Sequence, residues 1–116
     1  MLFRSIDSLA RTFSKPDLIL LDIEGFEYIA LTNGSAETIK SDAIWLVELH
    51  GDATLARYGG SNRKCISLFD ESHFDRHFAK IDDTGIVFGP LPAASAIPAD
   101  RCYFLAIPKN MISHER

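Results

Sequence analysis

Two apolar runs, each ending in alternating polar side chains and a glycine, constrain this chain more than any other feature. Residues 18–25 read Leu-Ile-Leu-Leu-Asp-Ile-Glu-Gly, and residues 43–51 read Ala-Ile-Trp-Leu-Val-Glu-Leu-His-Gly. An unbroken apolar run favours a strand buried on both faces, as in a parallel sheet covered by helices. The stretch between the runs has helical character, which suits a right-handed crossover. The sequence therefore predicts an α/β fold in which the two runs are parallel neighbours.

The polar residues that follow the two runs are the candidate functional residues. Asp22 and Glu24 follow the first run, and Glu48 and His50 follow the second. Ligands of open α/β sheets bind beyond the carboxyl ends of the strands, and side chains two apart on a strand share a face. We therefore expect these four side chains to converge at one rim of the sheet. As alternatives, the acids after the first run could cap the next helix, and the second pair could be structural.

The chemistry that this set supports best is proton transfer. The imidazole of His50, with an ordinary pKa near ~6.5, can take a proton from a hydroxyl group at neutral pH, and Glu48 would orient it. Oxygen and imidazole ligands also suit magnesium, manganese or zinc. These four residues include no closely spaced pair of histidines or cysteines of the kind typical of metal sites, so the sequence favours no metal there.

The rest of the pattern predicts helices and strands in an order that fits one small domain. Helices are expected over residues 5–13, 26–32, 35–39 and 64–71, and strands over residues 17–23, 43–49, 77–83, 86–88 and 101–107. Residues 90–98 contain three prolines and read as a loop. The later strands are expected to form an antiparallel meander added to one edge of the parallel pair. Residues 1–108 would make the domain, and residues 109–116 a frayed polar tail.

Composition excludes several classes of function. The chain has 116 residues and a net charge of −4, with charges scattered rather than blocked. It has no basic stripe for nucleic acid and no apolar run long enough to span a membrane. The start lacks the apolar core of a signal peptide, so a cytoplasmic location is expected. Cys65 and Cys102 are then expected to be reduced core residues, and His73 and His77 surface residues.

Four segments in succession resemble the FkbM-type methyltransferases. They are Ser-Ile-Asp-Ser-Leu at residues 5–9, Pro-Asp-Leu-Ile at 16–19, Leu-Asp-Ile-Glu-Gly-Phe-Glu at 21–27 and Leu-Val-Glu-Leu-His at 46–50. The Asp-Ile-Glu-Gly core is distinctive when Val-Glu-Leu-His follows at this distance. The resemblance runs from Ser5 to Pro108 and is loose after His50.

The resemblance implies a partial Rossmann-like sheet and S-adenosylmethionine as cofactor, with a sugar or natural-product hydroxyl as the methyl acceptor. Asp22 and Glu24 would bind the cofactor, and Asp22, Glu48 and His50 would be catalytic. The chain would correspond to the carboxyl-terminal half of the domain, because its seven glycines form no Gly-x-Gly-x-x-Gly series for the cofactor. A fragment that is inactive alone is therefore expected. Pairing with an amino-terminal half, or self-association through an exposed sheet edge as a non-catalytic interaction module, stays open.

Overall fold

The computed structural model describes residues 5–83, 85–90 and 97–112, and these form a five-stranded sheet with short helices. The strands are β1 (Leu18–Leu21), β2 (Ile44–Leu49), β3 (Phe74–Asp82), β4 (Gly85–Pro90) and β5 (Cys102–Pro108). The α-helices are α1 (Ile6–Phe13), α2 (Glu27–Gly34), α3 (Asp52–Leu55), α4 (Asn62–Ser67) and α5 (Lys109–Ile112). Short 3₁₀ turns cover Thr38–Lys40 and Ala56–Tyr58. No helix of the described ranges is both long and apolar enough to cross a membrane.

The sheet is mixed, as predicted, with the order β1-β2-β5-β3-β4. β1 and β2 are parallel, and β5 pairs antiparallel with both β2 and β3. The prediction of a simple meander is wrong in one respect, because β5 lies between β2 and β3 rather than at the end of the series. The physical reason is composition: β5 reads Cys-Tyr-Phe-Leu-Ala-Ile-Pro, an apolar strand that suits the middle of the sheet beside the apolar β2.

One face of the sheet carries the core. Trp45, Val47 and Leu49 of β2 are fully buried on this face, and they pack with Phe104 of β5 and Phe69, which follows α4. The rings of Trp45 and Phe69 meet edge to face at 5.3 Å, and those of Phe69 and Phe104 are 5.1 Å apart. Both cysteines are buried and free on this side, as predicted.

The opposite face of the sheet is much less covered. Leu18 and Leu20 on β1 are 56% and 67% exposed, and their register neighbours Ile44 and Leu46 are only partly buried. The prediction that the first apolar run is buried on both faces is therefore wrong for the described chain. Among the described residues, these leucines lack the covering layer that such a sequence usually has.

The helix starts and the chain ends differ in detail from the sequence pattern. Ser5 caps α1 by accepting a hydrogen bond from the backbone N–H of Ser8. Residues 52–62, where the pattern is weak, contain α3 and a 3₁₀ turn. The tail is helical over Lys109–Ile112, while residues 113–116 and most of the proline-framed loop lie outside the described residues.

His73 is partly buried and hydrogen-bonds the Ser41 carbonyl, so the prediction that it is a surface residue is wrong.

Asp7 ties α1 to the turn at Thr38–Lys40. Its buried carboxylate accepts hydrogen bonds from the backbone N–H groups of Glu37 and Thr38, at 3.1 and 2.8 Å, and from the Thr38 hydroxyl. Burial alone raises the pKa of Asp7, but these hydrogen bonds and the charge of Arg11 outweigh it and hold the pKa below its usual range. Asp7 therefore does for the 3₁₀ turn what a capping residue does for an α-helix.

We expect Asp7→Asn to lower the free energy of unfolding by about 1–2 kcal/mol at pH 7. Because the folded pKa lies below the unfolded value, the carboxylate stabilises the fold above the unfolded pKa, and this contribution is lost as the pH falls through the folded pKa. Urea denaturation at pH 7 and pH 3 should therefore show that wild type and variant differ less in their free energy of unfolding at the lower pH. Asp17→Asn, at an exposed carboxyl, is the control. A loss of unfolding free energy in Asp7→Asn that does not change with pH would contradict this role of Asp7.

Candidate functional site

The carboxyl ends of β1 and β2 bring the four predicted residues together. Asp22 directly follows β1, Glu48 lies near the end of β2, and His50 directly follows it. The His50 Nε2 atom is 3.5 Å from Asp22 Oδ1 and 3.6 Å from Glu24 Oε2. The carboxyl of Asp22 also interacts with that of Glu48, and this interaction raises the pKa of Asp22. The predicted convergence is thus confirmed as geometry, while the catalytic and cofactor-binding roles of these residues stay predictions.

The imidazole of His50 is held by a residue that the sequence analysis did not assign. Its Nδ1–H donates to Oε1 of Glu27, and Nδ1 is 3.2 Å from the backbone carbonyl of Glu48. The Glu27 side chain is fully buried, and that of His50 is 8% exposed. Burial alone lowers the pKa of His50, but the hydrogen bond to Glu27 and the charges of Glu27, Glu48 and Glu24 raise it above its usual range. Glu27, not the Glu48 carboxylate, orients the ring.

A left-handed turn after β1 places the two acids of the first motif. Glu24 has φ = 56° and Gly25 has φ = 104°, so the chain reverses here and α2 begins at Glu27. The Gly25 N–H donates to Oε2 of Glu27 at 2.6 Å, which leaves Oε1 for His50. Glu24 therefore approaches His50 because of this turn, and not because it alternates with Asp22 along a strand, since β1 ends at Leu21.

We expect Gly25→Ala to lower the free energy of unfolding by about 1–3 kcal/mol and to loosen the turn that holds Glu27. A Cβ atom at Gly25 would lie 2.7 Å from Cγ2 of Thr54, and the φ of 104° is one that residues with side chains rarely adopt. Gly59→Ala is the matched control, because Gly59 also has a positive φ but has open space around it. If urea denaturation showed equal losses of unfolding free energy for the two variants, the close approach of Gly25 to Thr54 would be contradicted.

The Glu48 carboxylate forms an ion pair with Arg101, which adds a cationic side chain to the rim. Glu48 is 4% exposed and bonds the guanidinium of Arg101, the residue just before β5. Burial raises the pKa of Glu48, but the hydrogen bonds from Arg101 and Asp22 and the nearby positive charges hold it below its usual range. The hydrogen bond with Glu48 is the main reason that the pKa of Asp22 is raised. The ion pair with Arg101 therefore favours the ionised form of Glu48, and the contact between the two carboxyls shifts their pKa values in opposite directions.

A buried asparagine links the ends of β2 and β5 behind this rim. Asn62, at the start of α4, accepts a hydrogen bond from the Gly51 N–H at 3.2 Å. Its side-chain amide donates to the carbonyls of Pro98 and Asp100 at 2.9 and 2.8 Å. Because Gly51 follows His50 and Asp100 precedes Arg101, one side chain fixes the relative positions of both.

Three residues of the site were therefore missed by sequence reasoning: Glu27, Arg101 and Asn62. Sequence could have indicated Glu27, because it stands in the same motif as Asp22 and at the second position of the helix predicted over residues 26–32. No local sequence pattern indicates a role for Arg101 or Asn62, because their roles depend on pairing between distant segments.

The fold and the site define a class of protein, an α/β protein whose parallel strands end in a cluster of carboxylates around one histidine. Comparison with protein families then gives a match between residues 4–76, more than half of the chain, and the methyltransferase FkbM domain. The chain belongs to this family. Comparison with curated proteins and with solved structures gave no match.

Proposed function

We propose that this chain provides part of the active site of an S-adenosylmethionine-dependent methyltransferase that modifies a hydroxyl oxygen of a sugar or natural product. The observation that carries the proposal is the meeting of Asp22, Glu24, Glu48 and His50 at one sheet rim in a member of the FkbM family. Carboxylates and a polarised histidine at the carboxyl ends of parallel strands are the groups that position a ligand and move its proton.

The rim suits one end of the cofactor. The side chains of Asp22 and Glu24 are 57% and 82% exposed, so both carboxyls are accessible to a cationic ligand. S-adenosylmethionine carries an ammonium and a sulfonium cation, and when bound it supplies an electrophilic methyl group. The glycines of this chain form no Gly-x-Gly-x-x-Gly series, so we propose that the chain corresponds to the carboxyl-terminal half of the domain and that another segment contacts the adenosine.

Each residue of the rim would then have its own role in methyl transfer. Asp22 and Glu24 would hold the cationic end of the cofactor, and His50 would accept the proton of the acceptor hydroxyl at Nε2. Glu27 fixes the ring through Nδ1 and favours its protonated form, as the carboxylate of a catalytic triad does. Alignment of the reacting groups and exclusion of water would supply the rest of the rate acceleration.

The test is methyl transfer by a full-length FkbM methyltransferase that contains the same Asp-x-Glu-Gly and Glu-x-His motifs. We expect changes equivalent to Asp22→Ala and His50→Ala each to reduce turnover by about 10²-fold or more while circular dichroism shows an intact fold. Glu71→Ala, an exposed acid outside the rim, is the matched control and should leave turnover unchanged. Wild-type turnover in both rim variants would overturn the assignment.

The exposed edge of β1 favours a second candidate function, an interaction module that adds a strand from another chain. Leu18 and Leu20 expose apolar side chains on β1, whose outer edge pairs with none of the described strands, and such an edge is the usual template for strand addition. Sedimentation velocity should then show concentration-dependent association that Leu20→Lys abolishes and Thr32→Lys, at an exposed helical position, does not. A monomer at all concentrations would contradict this candidate.

A further inference from the structure

We propose that Asp22, Glu24 and His50 form a binding site for a divalent transition-metal cation. One ligand atom from each residue, a carboxylate oxygen or an imidazole nitrogen, lies within 4.8 Å of the others. The three come from two strand ends and one turn, so the fold and not local sequence spacing assembles them. The inference goes beyond methyl transfer, because it concerns what occupies the rim whether or not a methyl group is moved.

The unpartnered nitrogen of His50 is the independent observation that points to a ligand. Nε2 is buried and has no hydrogen-bond partner among the described residues, and the side chain is 8% exposed. It points between Asp22 and Glu24 at 3.5 and 3.6 Å, outside the usual range for hydrogen bonds. Two ligands bound to one cation at about 2.1 Å each are themselves separated by about 3.0–3.5 Å. The spacing is therefore close to that of ligands around a shared ion.

The other nitrogen of the same ring has the partner that metal-binding histidines usually have. Nδ1–H donates to the fully buried Glu27, which fixes the tautomer and leaves the lone pair on Nε2. A carboxylate behind a histidine is the common outer-shell arrangement of metal sites. Glu27 is held in turn by the Gly25 N–H at 2.6 Å, so the ring is oriented before any cation binds.

The ligand set indicates which cation fits. One imidazole and two carboxylates suit zinc or manganese better than magnesium, which prefers an all-oxygen shell. The exposed carboxyls of Asp22 and Glu24 leave one side of the site open, so further positions are available to an oxygen of a bound ligand. Binding of a cation at Nε2 excludes proton transfer at the same atom, so a metal-loaded site would leave His50 a ligand and not the base.

The test is isothermal titration calorimetry of the full chain, purified without a histidine tag, with zinc, manganese or magnesium chloride. We expect one saturable site per chain for zinc or manganese, with weaker magnesium binding. Glu24→Gln and His50→Ala should each weaken binding at least 10-fold, and Glu27→Gln about 10–100-fold, as for outer-shell residues. Glu71→Gln is the matched control, because its side chain is 82% exposed, like that of Glu24.

Two results would overturn the proposal: no saturable zinc or manganese binding, or binding that Glu24→Gln leaves unchanged. Glu24 is exposed, so its variant keeps the test decisive even if His50→Ala fails to fold. Tighter binding of magnesium than of zinc and manganese would contradict the assigned class of cation. Because the readout is binding, failure of the proposed methyl transfer would leave this result standing, and the reverse also holds.

Discussion

Phe69→Ala is expected to lower the free energy of unfolding by about 3–5 kcal/mol, the range for removal of a buried aromatic ring. The ring is fully buried between the sheet and α4. It contacts Trp45 and Phe74 edge to face, at centroid distances of 5.3 and 5.5 Å, and Phe104 at 5.1 Å. Its removal leaves a cavity among three other large rings, and such a rigid site collapses only in part.

Urea denaturation followed by tryptophan fluorescence measures this loss, because Trp45 is the only tryptophan and touches the altered site. Phe13→Ala, at a ring that is 73% exposed, is the matched control and should change stability by no more than about 0.5 kcal/mol. Phe69→Leu retains most of the volume and should lie between the two variants. A loss below about 1 kcal/mol for Phe69→Ala would contradict a tightly packed aromatic core.

The parts of the fold that were predictable from sequence depend on local pattern. The apolar runs before Asp22 and Glu48 identified two parallel strands, and the rule that ligand sites follow strand ends placed the rim. The cap of α1 by Ser5 is local in the same sense, because it joins residues three apart. These features need only the chemistry of neighbouring residues.

The parts that were not predictable depend on pairing between distant segments. The position of β5 between β2 and β3 brings Arg101 to Glu48 across 53 residues of sequence. The same pairing explains why Glu48 does not orient His50: its carboxylate is already paired with the guanidinium of Arg101. The exposure of Leu20 also escaped prediction, because an apolar run shows what a strand can bury and not which layer covers it.

Asn62→Ala should lower the free energy of unfolding by about 2–4 kcal/mol, more than any other single polar change considered above. The fully buried side chain accepts one hydrogen bond from Gly51 and donates two, to the carbonyls of Pro98 and Asp100. Truncation leaves these backbone groups without the partner, and each unsatisfied buried group costs about 1–3 kcal/mol. Entry of water into the new space offsets part of this cost.

The same variant should loosen the rim as well as the fold, because Asn62 joins the segment after His50 to the segment before Arg101. Hydrogen exchange should show faster exchange of the Gly51 N–H, whose acceptor is lost, and of the Asp52 N–H, which donates to Ala99 in the linked segment at 2.8 Å. Ser61→Ala removes the cap of the same helix, a serine oxygen that accepts a hydrogen bond from the Lys64 N–H. It should lower the free energy of unfolding by only about 0.5–2 kcal/mol and leave exchange at Gly51 unchanged. Equal exchange at Gly51 in both variants would show that the turn after His50 is held by the backbone and not by Asn62.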